Sequence, residues 1–314
     1  MKTKLFFILI LIFSMALSGC KQEPVAATTP SSATPSAPKA GLLLRDSGAD
    51  ERDGIALEAA IEALGYEVLV RDGANDQAKQ NEQAAALVDD GCEILVLQPV
   101  MVTGLDVLLR EITDVPVIIL DAQPELPQDI QNVTVLCARE GNEGTVEASL
   151  IAALPRGGDL NGDGTVSLIV IRGPEDHNAA AIADAFTAAL DPEAHIVLET
   201  VSGDFTEDGG RSSCAPLLAK YGPDIEVIVT FGEEMTFGVI AAVENSGWVP
   251  GRDFQLLTAG SSTAIRNELQ IGRINGLAAP DSEARLQTLT QLITALTTGQ
   301  ATEKINYIDY IAIN

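Results

Sequence analysis

Histidine is nearly absent from this chain, and the common histidine-dependent catalytic motifs are absent with it. The 314 residues include two histidines, and the sequence contains neither G-x-S-x-G nor H-E-x-x-H, the motifs of many serine and zinc hydrolases. No base stands at a spacing that would pair it with a nucleophile. The sequence therefore argues against a hydrolase, and we predict a protein that is not an enzyme and has no catalytic residues.

Basic residues are also scarce. The chain has 19 lysines and arginines against 45 acidic residues, which gives a formal net charge of −26. A surface of this sign repels nucleic acid and anionic lipid head groups, so we expect neither as a partner.

Cysteine is too rare to build a disulfide framework. Besides Cys20 there are Cys92, Cys137 and Cys214, so any disulfide would leave one thiol unpaired. Cys92 and Cys137 adjoin apolar, strand-like runs, which favours small buried core residues over redox or metal-binding groups. No disulfide is predicted.

One apolar run stands out, and it lies at the start of the chain. Residues 5–17 follow Lys2 and Lys4 and lead into Ser18, Gly19 and Cys20, an order typical of a secretory signal peptide. The run is short for a membrane-spanning helix. The segment LSGC at 17–20 resembles the lipobox of bacterial lipoproteins, which implies cleavage before Cys20 and lipid on its sulfur. An ordinary signal peptide with an incidental cysteine is the alternative.

The next segment lacks any apolar period from which a core could form. Residues 21–39 hold four prolines among alanine, serine and threonine, a composition typical of an extended, solvated tether. We therefore predict a lipoprotein signal peptide over 1–19 and a lipid anchor with a disordered tether over 20–39.

From Gly41 onward, short apolar runs alternate with segments of helical apolar spacing. Continuous apolar runs bounded by turns are typical of strands buried on both faces of a parallel sheet. One series occupies residues 40–155 and a second begins at residue 166. The alternation predicts an α/β protein with two parallel sheets covered by helices. Ligands of such sheets bind at the carboxyl ends of the strands, so we expect a site in the cleft between two lobes.

The stretch GDLNGDGTVS at 158–167 has the pattern of a calcium loop. Asp159, Asn161 and Asp163 alternate, and Gly164 permits a left-handed turn. Hard oxygen donors converging on one point suit Ca²⁺ better than a transition metal. The twelfth position of the loop is Val170 rather than an acid, so a further carboxylate has to come from elsewhere in the fold. A solvated acidic turn is the alternative.

Together these features resemble the sugar receptors of the periplasmic-binding-protein family, and their galactose/glucose-binding members in particular. The resemblance rests on NDQAKQNEQ at 75–83, on DLNGDG at 159–164 and on IEVIVTFGEE at 225–234. It implies the type I fold, with two Rossmann-like lobes of parallel sheets joined by a three-segment hinge. The first lobe would comprise residues 40–137 with 281–303, and the second 138–280 with 304–314.

The resemblance also implies functional residues. It implies a structural Ca²⁺ held by Asp159, Asn161, Asp163, Thr165, Ser167 and Glu226, where Ser167 replaces a long amide and would reach the ion only through water. For the solute it implies an aromatic platform, planar polar groups and acids, which fall on Glu51, Asp53, Gln98, His177, Phe205, Glu233 and Asp281.

Several of these solute positions have a plainer interpretation. His177 suits a surface or helix-capping position, Phe205 could cover the hinge, and Gln98 could satisfy backbone groups at a strand end. Two further charges near the cleft mouth, Arg45 and Arg52, are interpreted as solvated.

Other positions depart from the family pattern. Alanine, glycine or proline replaces polar family residues at Ala179, Ala183, Gly232, Ala259 and Pro280. The lost arginine would have supplied a bidentate donor to sugar hydroxyls, so these replacements argue against galactose or glucose as the solute.

We therefore predict a monomeric solute-binding lipoprotein of an ABC importer. It would be exported, anchored to the cell membrane through its N-terminal lipid on the outer face or in the periplasm, and would bind a sugar or sugar-like solute and deliver it to an ABC permease. The alternative is a degenerate receptor-like lipoprotein that senses, or docks to, a membrane signalling partner.

Overall fold

The computed structural model describes residues 36–48, 51–112, 114–174 and 177–314. The predicted signal peptide, Cys20 and the tether up to residue 35 lie outside these residues, as does the side chain of His177. None of the helices in the described ranges is long and apolar enough to cross a membrane.

Strands and helices alternate along the described chain. The strands are β1 (Lys39–Leu44), β2 (Glu67–Asp72), β3 (Cys92–Leu97), β4 (Val117–Leu120), β5 (Val133–Ala138), β6 (Val166–Arg172), β7 (His195–Ser202), β8 (Val227–Thr230), β9 (Gln255–Ala259), β10 (Gly276–Pro280), β11 (Ile305–Ile308) and β12 (Tyr310–Ile313). The helices are α1 (Glu51–Glu62), α2 (Gln77–Asp89), α3 (Leu105–Glu111), α4 (Asn142–Ile151), α5 (His177–Ala189), α6 (Glu207–Tyr221), α7 (Glu233–Asn245), α8 (Thr263–Gln270) and α9 (Ser282–Thr297).

These strands form two sheets of the kind that the apolar runs predict. The first sheet has the order β11-β5-β4-β3-β1-β2 and is parallel throughout. The second has the order β12-β10-β9-β8-β6-β7 and is parallel except for β12, which runs antiparallel to β10. We call the two sheets with their helices the first and second lobes. The predicted α/β fold with two parallel-sheet lobes is confirmed.

Each sheet is buried on both faces, which explains the unbroken apolar runs. In the first lobe, α2 and α3 pack on one face and α1 and α9 on the other. In the second lobe, α6, α7 and α8 pack on one face and α4 and α5 on the other. All four residues of β4 and all four of β8 are buried.

Three connections join the lobes within the described chain. The first follows β5, whose successor α4 packs on the second sheet, and the second follows β10, whose successor α9 packs on the first. The third lies between β11 and β12. Its position corrects the predicted boundary, because 304–314 does not belong to one lobe: Ile305–Ile308 pairs with β5 and Tyr310–Ile313 pairs with β10. Each short strand completes the edge of a different sheet.

The cysteines of the described residues are buried and free, as the sequence predicts for Cys92 and Cys137. Burial raises the pKa of the Cys137 thiol to about 11 and that of Cys214 to about 12. Such thiols are protonated at neutral pH and are poor nucleophiles. They fill core space in the same way as other small apolar residues.

Candidate functional site

A cleft of about 370 Å³ opens between the lobes at the carboxyl ends of the strands. Residues that directly follow β1, β3, β4 and β9 line it, and so do the first turns of α1, α8 and α9. This is where an open parallel sheet binds ligands, because strand ends and helix N-termini converge there. The volume lies within the range of small-molecule sites.

A buried arginine organises the first-lobe side of this cleft. The side chain of Arg285, in the first turn of α9, is 8% exposed, and its guanidinium pairs with the carboxylates of Asp53 and Asp121. Its Nη2 lies 3.2 Å from Asp53 Oδ2 and 2.5 Å from Asp121 Oδ2. Burial alone would lower the pKa of Arg285, but the negative charges of Asp121 and Asp53 outweigh it and raise that pKa. Arg285 is therefore a permanent cation held between two acids.

Gln98 joins the same cluster. Its Nε2 donates to Asp53 Oδ2 at 2.9 Å and to Asp121 Oδ2 at 3.1 Å. Asp121 has a left-handed backbone, with φ of 59°, which a residue other than glycine adopts at some cost. The cluster thus presents carboxylate, amide and guanidinium groups within one cleft. Planar groups of these kinds form bidentate hydrogen bonds with neighbouring hydroxyls or with anions.

The cleft leaves one polar atom of this cluster without a partner. Arg285 Nε is buried and has no hydrogen-bond partner among the described residues. Buried donors in folded proteins are nearly always satisfied by protein, water or ligand. This donor is therefore the unsatisfied polar atom of the cluster.

Of the predicted solute residues, the structure brings Asp53 and Gln98 into this cleft. Glu51 begins α1 and is exposed outside the described lining. Asp281 caps α9, because its Oδ1 accepts a hydrogen bond from Ala284 N at 3.0 Å. Glu233 Oε2 accepts from the backbone N–H groups of Ser261 and Ser262, both at 3.2 Å, and so holds the loop before α8.

The predicted aromatic platform lies at the matching edge of the second lobe. Phe205 is 38% exposed, and its ring covers Gly173 and Gly232, which follow the ends of β6 and β8. A Cβ atom at Gly173 would lie 2.1 Å from Phe205 Cζ, so the ring requires glycine there. Phe205 is on the cleft side of its sheet but is not part of the described lining. The side chain of His177, at the start of α5, lies outside the described residues.

Sequence reasoning missed Arg285 and Asp121, and it left Arg45, Arg52 and Arg266 without a role. Asp121 was detectable in principle, because it directly follows the apolar run of β4 at the edge where ligands bind. No sequence pattern around Arg285 indicated that it belongs to the cleft. It belongs to a helix far along the chain, and only the second crossing between the lobes brings it beside Asp53.

Two acids on α4, the half-buried Glu143 and the buried Glu147, lie close to Tyr310, which lines the cleft. Glu147 is 0% exposed and neither of its carboxylate oxygens has a partner among the described residues. Burial, together with the charge of Glu143, holds the pKa of Glu147 well above its usual value. Burial also raises the pKa of Glu143 to about 7, although a hydrogen bond with Tyr310 opposes the shift. Glu147 therefore keeps its proton to a higher pH than an exposed glutamate does.

The loop at 158–167 lies on the second lobe and is closed by Glu226. That side chain is 1% exposed, and its carboxylate accepts three backbone N–H groups of the loop, from Leu160 at 2.7 Å, Asn161 at 3.0 Å and Ser167 at 2.9 Å. The sequence links Glu226 to the loop from 59 to 66 residues away, and the structure brings them together.

The remaining loop acids also accept backbone hydrogen bonds. Asp159 Oδ2 accepts from Gly164 N at 3.0 Å, and Asp163 Oδ1 accepts from Thr165 N at 2.9 Å. Within the described ranges no group of three or more histidine, cysteine, aspartate or glutamate side chains converges as a metal site. The oxygen donors are of the type that Ca²⁺ takes, and each carboxylate keeps lone pairs beyond the bonds named here. The donor chemistry therefore fits calcium, while the loop closes through its own hydrogen bonds.

A family profile described as a periplasmic binding protein domain matches residues 48–301. This chain belongs to the periplasmic-binding-protein family. The match covers both lobes and most of the cleft residues, and the type I arrangement expected from the sequence agrees with the two sheets and three crossings.

Two curated relatives show how similar this periplasmic binding protein is to known members. The galactofuranose-binding protein YtfQ of Escherichia coli is 26% identical over 199 residues, or 61% of this chain and 60% of that protein. The ribose import binding protein RbsB of Haemophilus influenzae is 27% identical over 203 residues, or 62% of this chain and 63% of that protein. The chain therefore spans about three fifths of the length of these relatives. Both are binding proteins and not enzymes, in agreement with the prediction.

Solved structures share the fold at low identity. A periplasmic ribose ABC transporter protein from Conexibacter woesei has a TM-score of 0.73 at 17% identity, covering 88% of this chain and 92% of that chain. The arabinose-binding component from Shewanella sp. ANA-3, bound to L-arabinofuranose, has a TM-score of 0.70 at 17% identity and covers 88% and 91%. At these identities the likeness concerns the fold alone.

Proposed function

We propose that this protein is the solute-binding component of an ABC importer and binds a sugar or sugar-like solute between its lobes. One observation carries the proposal: an interlobe cleft whose wall presents Asp53, Asp121, Gln98 and Arg285 as one hydrogen-bonded cluster. The relatives named for galactofuranose and ribose support a solute of this class. No reaction is part of the proposal.

The cluster suits a polyhydroxylated ligand. Two carboxylates accept hydrogen bonds, and the Gln98 amide and the Arg285 guanidinium donate them. Hydrogen bonds that involve a charged donor or acceptor, such as the Arg285 guanidinium, are stronger than those between neutral groups. A sugar hydroxyl, which both donates and accepts, is matched by such alternating groups.

Closure of the lobes would complete the site. The three connections between the lobes form a hinge, and such a hinge lets two lobes close around a ligand as rigid bodies. In this view Phe205, at the carboxyl edge of the second sheet, stacks on one face of the solute when the lobes come together. Permease docking would follow recognition of the closed form.

The export and anchoring of the protein are part of the same proposal. The segment ending at Cys20 would direct secretion and carry the lipid, and residues 21–39 would hold the lobes away from the membrane. Labelling with a radioactive or clickable fatty acid in an expressing bacterium tests the anchor: wild type is labelled and Cys20→Ala is not. Labelling of Cys20→Ala as strong as that of wild type contradicts it.

We further propose that loop 158–167 with Glu226 binds a structural Ca²⁺. The hard oxygen donors of Asp159, Asn161 and Asp163 support this, as does the seating of Glu226 against the loop. Thr165 would contribute through its backbone and Ser167 through water. Calcium would stabilise the second lobe and take no direct part in solute binding.

A second candidate is a degenerate receptor that senses or docks rather than delivers solute. Small residues where the family has polar ones favour it, for example Ala259, which is buried and offers no hydrogen-bonding side chain. Deleting the gene distinguishes the two: loss of uptake of one solute supports the importer, whereas unchanged uptake with altered signalling supports the receptor.

The direct test is isothermal titration of the chain from residue 36 with monosaccharides, polyols and nucleosides, paired with small-angle scattering. We expect one solute class to bind and the radius of gyration to fall on binding. Gln98→Ala should weaken binding about tenfold, the loss of one hydrogen-bonding group, and Phe205→Ala should weaken it by up to about tenfold.

Two controls lie away from the cleft: Gln131→Ala for Gln98 and Ile196→Ala for Phe205. Ile196 is likewise an exposed large apolar residue of the second lobe. Neither should change affinity. If no solute binds and the scattering is unchanged throughout, the proposed function is wrong.

A further inference from the structure

The charge of the cleft is unlike that of the chain. The described residues that line it include four arginines and three aspartates but no lysine, histidine or glutamate. In the whole sequence acidic residues outnumber basic ones by 45 to 19. Cations are therefore concentrated at the one place where a solute would bind.

Three of these arginines are not neutralised as Arg285 is. Arg45 and Arg52 come from the first lobe, and neither side chain has a hydrogen bond or ion pair within the described residues. Arg266 comes from the second lobe and donates only from Nε, to Ser261 O at 3.3 Å. Two exposed arginines outside the cleft do have ion pairs, Arg110 with Asp129 and Arg211 with Asp208. Among the described residues, these three arginines of the cleft thus have no acidic partner.

The third aspartate of the cleft does not compensate them. Asp46 directs its oxygens to its own lobe, accepting from Gly48 N at 2.9 Å and from Asn75 Nδ2 at 2.6 Å. Asp53 and Asp121 both face Arg285. The cleft therefore has an inner part, where one arginine is shared by two acids, and an outer part, where arginines predominate.

Helix N-termini add to the positive potential. The first turns of α1, α8 and α9 all line the cleft, through Arg52, Thr263 and Ser282 among others. The N-terminus of a helix carries a partial positive charge and unpaired backbone N–H groups, and it attracts anions.

We infer that the solute is a polyhydroxylated compound carrying one anionic group, a carboxylate or a phosphate. The inner part, with Asp53, Asp121 and Gln98, would take the hydroxyls. Arg45 and Arg52 would hold the anion from the first lobe, and Arg266 would meet it from the second when the lobes close. This inference rests on the proposed function and narrows its solute class.

Matched pairs of solutes test the inference. Titrations would compare D-galactose with D-galacturonate, D-glucose with D-gluconate and with D-glucose 6-phosphate, and D-ribose with D-ribose 5-phosphate. We expect at least one acid or phosphate to bind at least about tenfold more tightly than its neutral counterpart, the gain from one charge-assisted hydrogen bond. Comparing the titrations of the carboxylates with those of the phosphates shows which anion the cleft prefers. The advantage should shrink between 20 and 300 mM NaCl, because salt screens exposed charges.

Substitution locates the anion site. Arg45→Gln, Arg52→Gln and Arg266→Gln should each reduce affinity for the anionic member of the pair about tenfold and leave its neutral counterpart within about twofold. Arg110→Gln removes an arginine outside the cleft and should change neither affinity. Melting temperatures within a few degrees of wild type would show that the substituted proteins are folded.

The outcomes separate the inference from the proposed function. If neutral solutes bind as tightly as their anionic counterparts, or if the three cleft substitutions act no differently from Arg110→Gln, the anion inference is wrong and the proposed function stands. If no solute of either kind binds, the proposed function is wrong and the inference falls with it.

Discussion

Arg285 shows how a single side chain can decide the character of a cleft. It is 6% exposed as a residue and lies between two aspartates from other parts of the first lobe. A buried cation is stable only with partners of this kind. The same ion pairs fix the positions of both aspartates in the wall of the cleft, so one set of contacts serves both the stability and the binding chemistry of the cleft.

Arg285→Met should therefore destabilise the protein. The substitution keeps an apolar side chain of similar length but leaves Asp53 and Asp121 facing each other without a cation. We expect the free energy of unfolding to fall by about 3 kcal/mol, the low end for breaking a buried pair, because the side chain of Asp121 is 45% exposed. Urea denaturation measures the change.

The control for this substitution is Arg285→Met combined with Asp53→Asn and Asp121→Asn. Because the two asparagines remove the uncompensated charges, the triple variant should recover most of the free energy of unfolding that Arg285→Met loses. A single Arg285→Met variant within about 0.5 kcal/mol of wild type would contradict the role given to this ion-pair cluster.

Glu147 is the opposite case, a buried acid with no cation beside it. Its pKa lies well above the usual value because of burial and Glu143, and burial raises the pKa of Glu143 to about 7. Tyr310, bonded to Glu143, and Asp121, close to Tyr310, are the other titratable groups near the pair. The folded chain therefore keeps protons here that the unfolded chain has already lost.

The stability of the protein should accordingly fall as pH rises. Both pKa values are raised in the folded state, so their contribution is complete below about pH 4.5 and is lost progressively as pH rises from there through the folded-state pKa, which is about 7 for Glu143. The expected slope is about 1.4 kcal/mol per pH unit for each group that stays protonated only in the folded state. Urea denaturation at pH 5, 6, 7 and 8 measures it.

Glu147→Gln supplies the comparison, since a neutral amide of equal size removes one titrating group. The slope of its unfolding free energy against pH should be smaller than that of wild type. Glu234→Gln, on α7, should leave the slope unchanged. Equal slopes for wild type and Glu147→Gln would show that Glu147 is not protonated in the folded protein.

At the scale of the element, loop 158–167 shows two distinct uses of acidic side chains. Glu226 is buried and holds the loop by its backbone. Asp163 is exposed and bonds mainly within the loop, and its pKa is lowered by hydrogen bonds from Thr165. The first acid supports the loop whether or not an ion is bound, while the second is available to an ion at little structural cost.

The two acids should therefore respond differently to substitution. In calcium-free buffer, Asp163→Asn should melt close to wild type, whereas Glu226→Gln should melt several degrees lower, because an amide cannot accept all three N–H groups. Adding 1 mM CaCl₂ should raise the melting temperature of wild type by mass action but not that of Asp163→Asn. Differential scanning calorimetry measures both effects. An unchanged wild-type melting temperature with calcium or EGTA would show that the loop closes without an ion.

Most helices and strands of this protein were predictable because their signals are local. Strand β4, for example, is buried on both faces, so it appears as an unbroken apolar run. The residues 304–314 were the exception. Ile305–Ile308 and Tyr310–Ile313 are short edge strands, and which sheet each joins depends on the crossing between them and not on their composition.

The candidate site was predictable only in part, for the same reason. Asp53 and Gln98 follow the family pattern at recognisable positions, so the sequence pointed to them. Glu233 and Asp281 satisfy nearby backbone groups in the structure, a local use that motif comparison does not reveal. The roles of the predicted solute residues stay predictions until a ligand is measured.

At the scale of the whole molecule, net charge should govern the response to salt. A formal charge of −26 over 314 residues repels itself in the compact state, and salt screens this repulsion. We expect the melting temperature to rise by a few degrees between 10 and 150 mM NaCl. Differential scanning fluorimetry measures the melting temperature. A parallel series with Na₂SO₄ at equal ionic strength separates the screening of charges from the stabilisation that sulfate gives because it is excluded from the protein surface. A fall with added NaCl would mean that favourable ion pairs, such as those of Arg285, outweigh the general repulsion.

The sequence by itself determined the two-lobe α/β architecture and the family, because burial on both faces of a sheet leaves a continuous apolar signature and the loop at 158–167 carries a local motif. It also determined the net negative charge, because that charge is the sum of the charges of the individual residues. Only the tertiary structure decided which polar groups share the cleft. Asp53 and Arg285 are 232 residues apart, and their pairing depends on chain crossings that no local pattern records. The same crossings bring Arg45, Arg52 and Arg266 to one cleft without an acidic partner among the described residues, which makes an anionic solute the hypothesis to test.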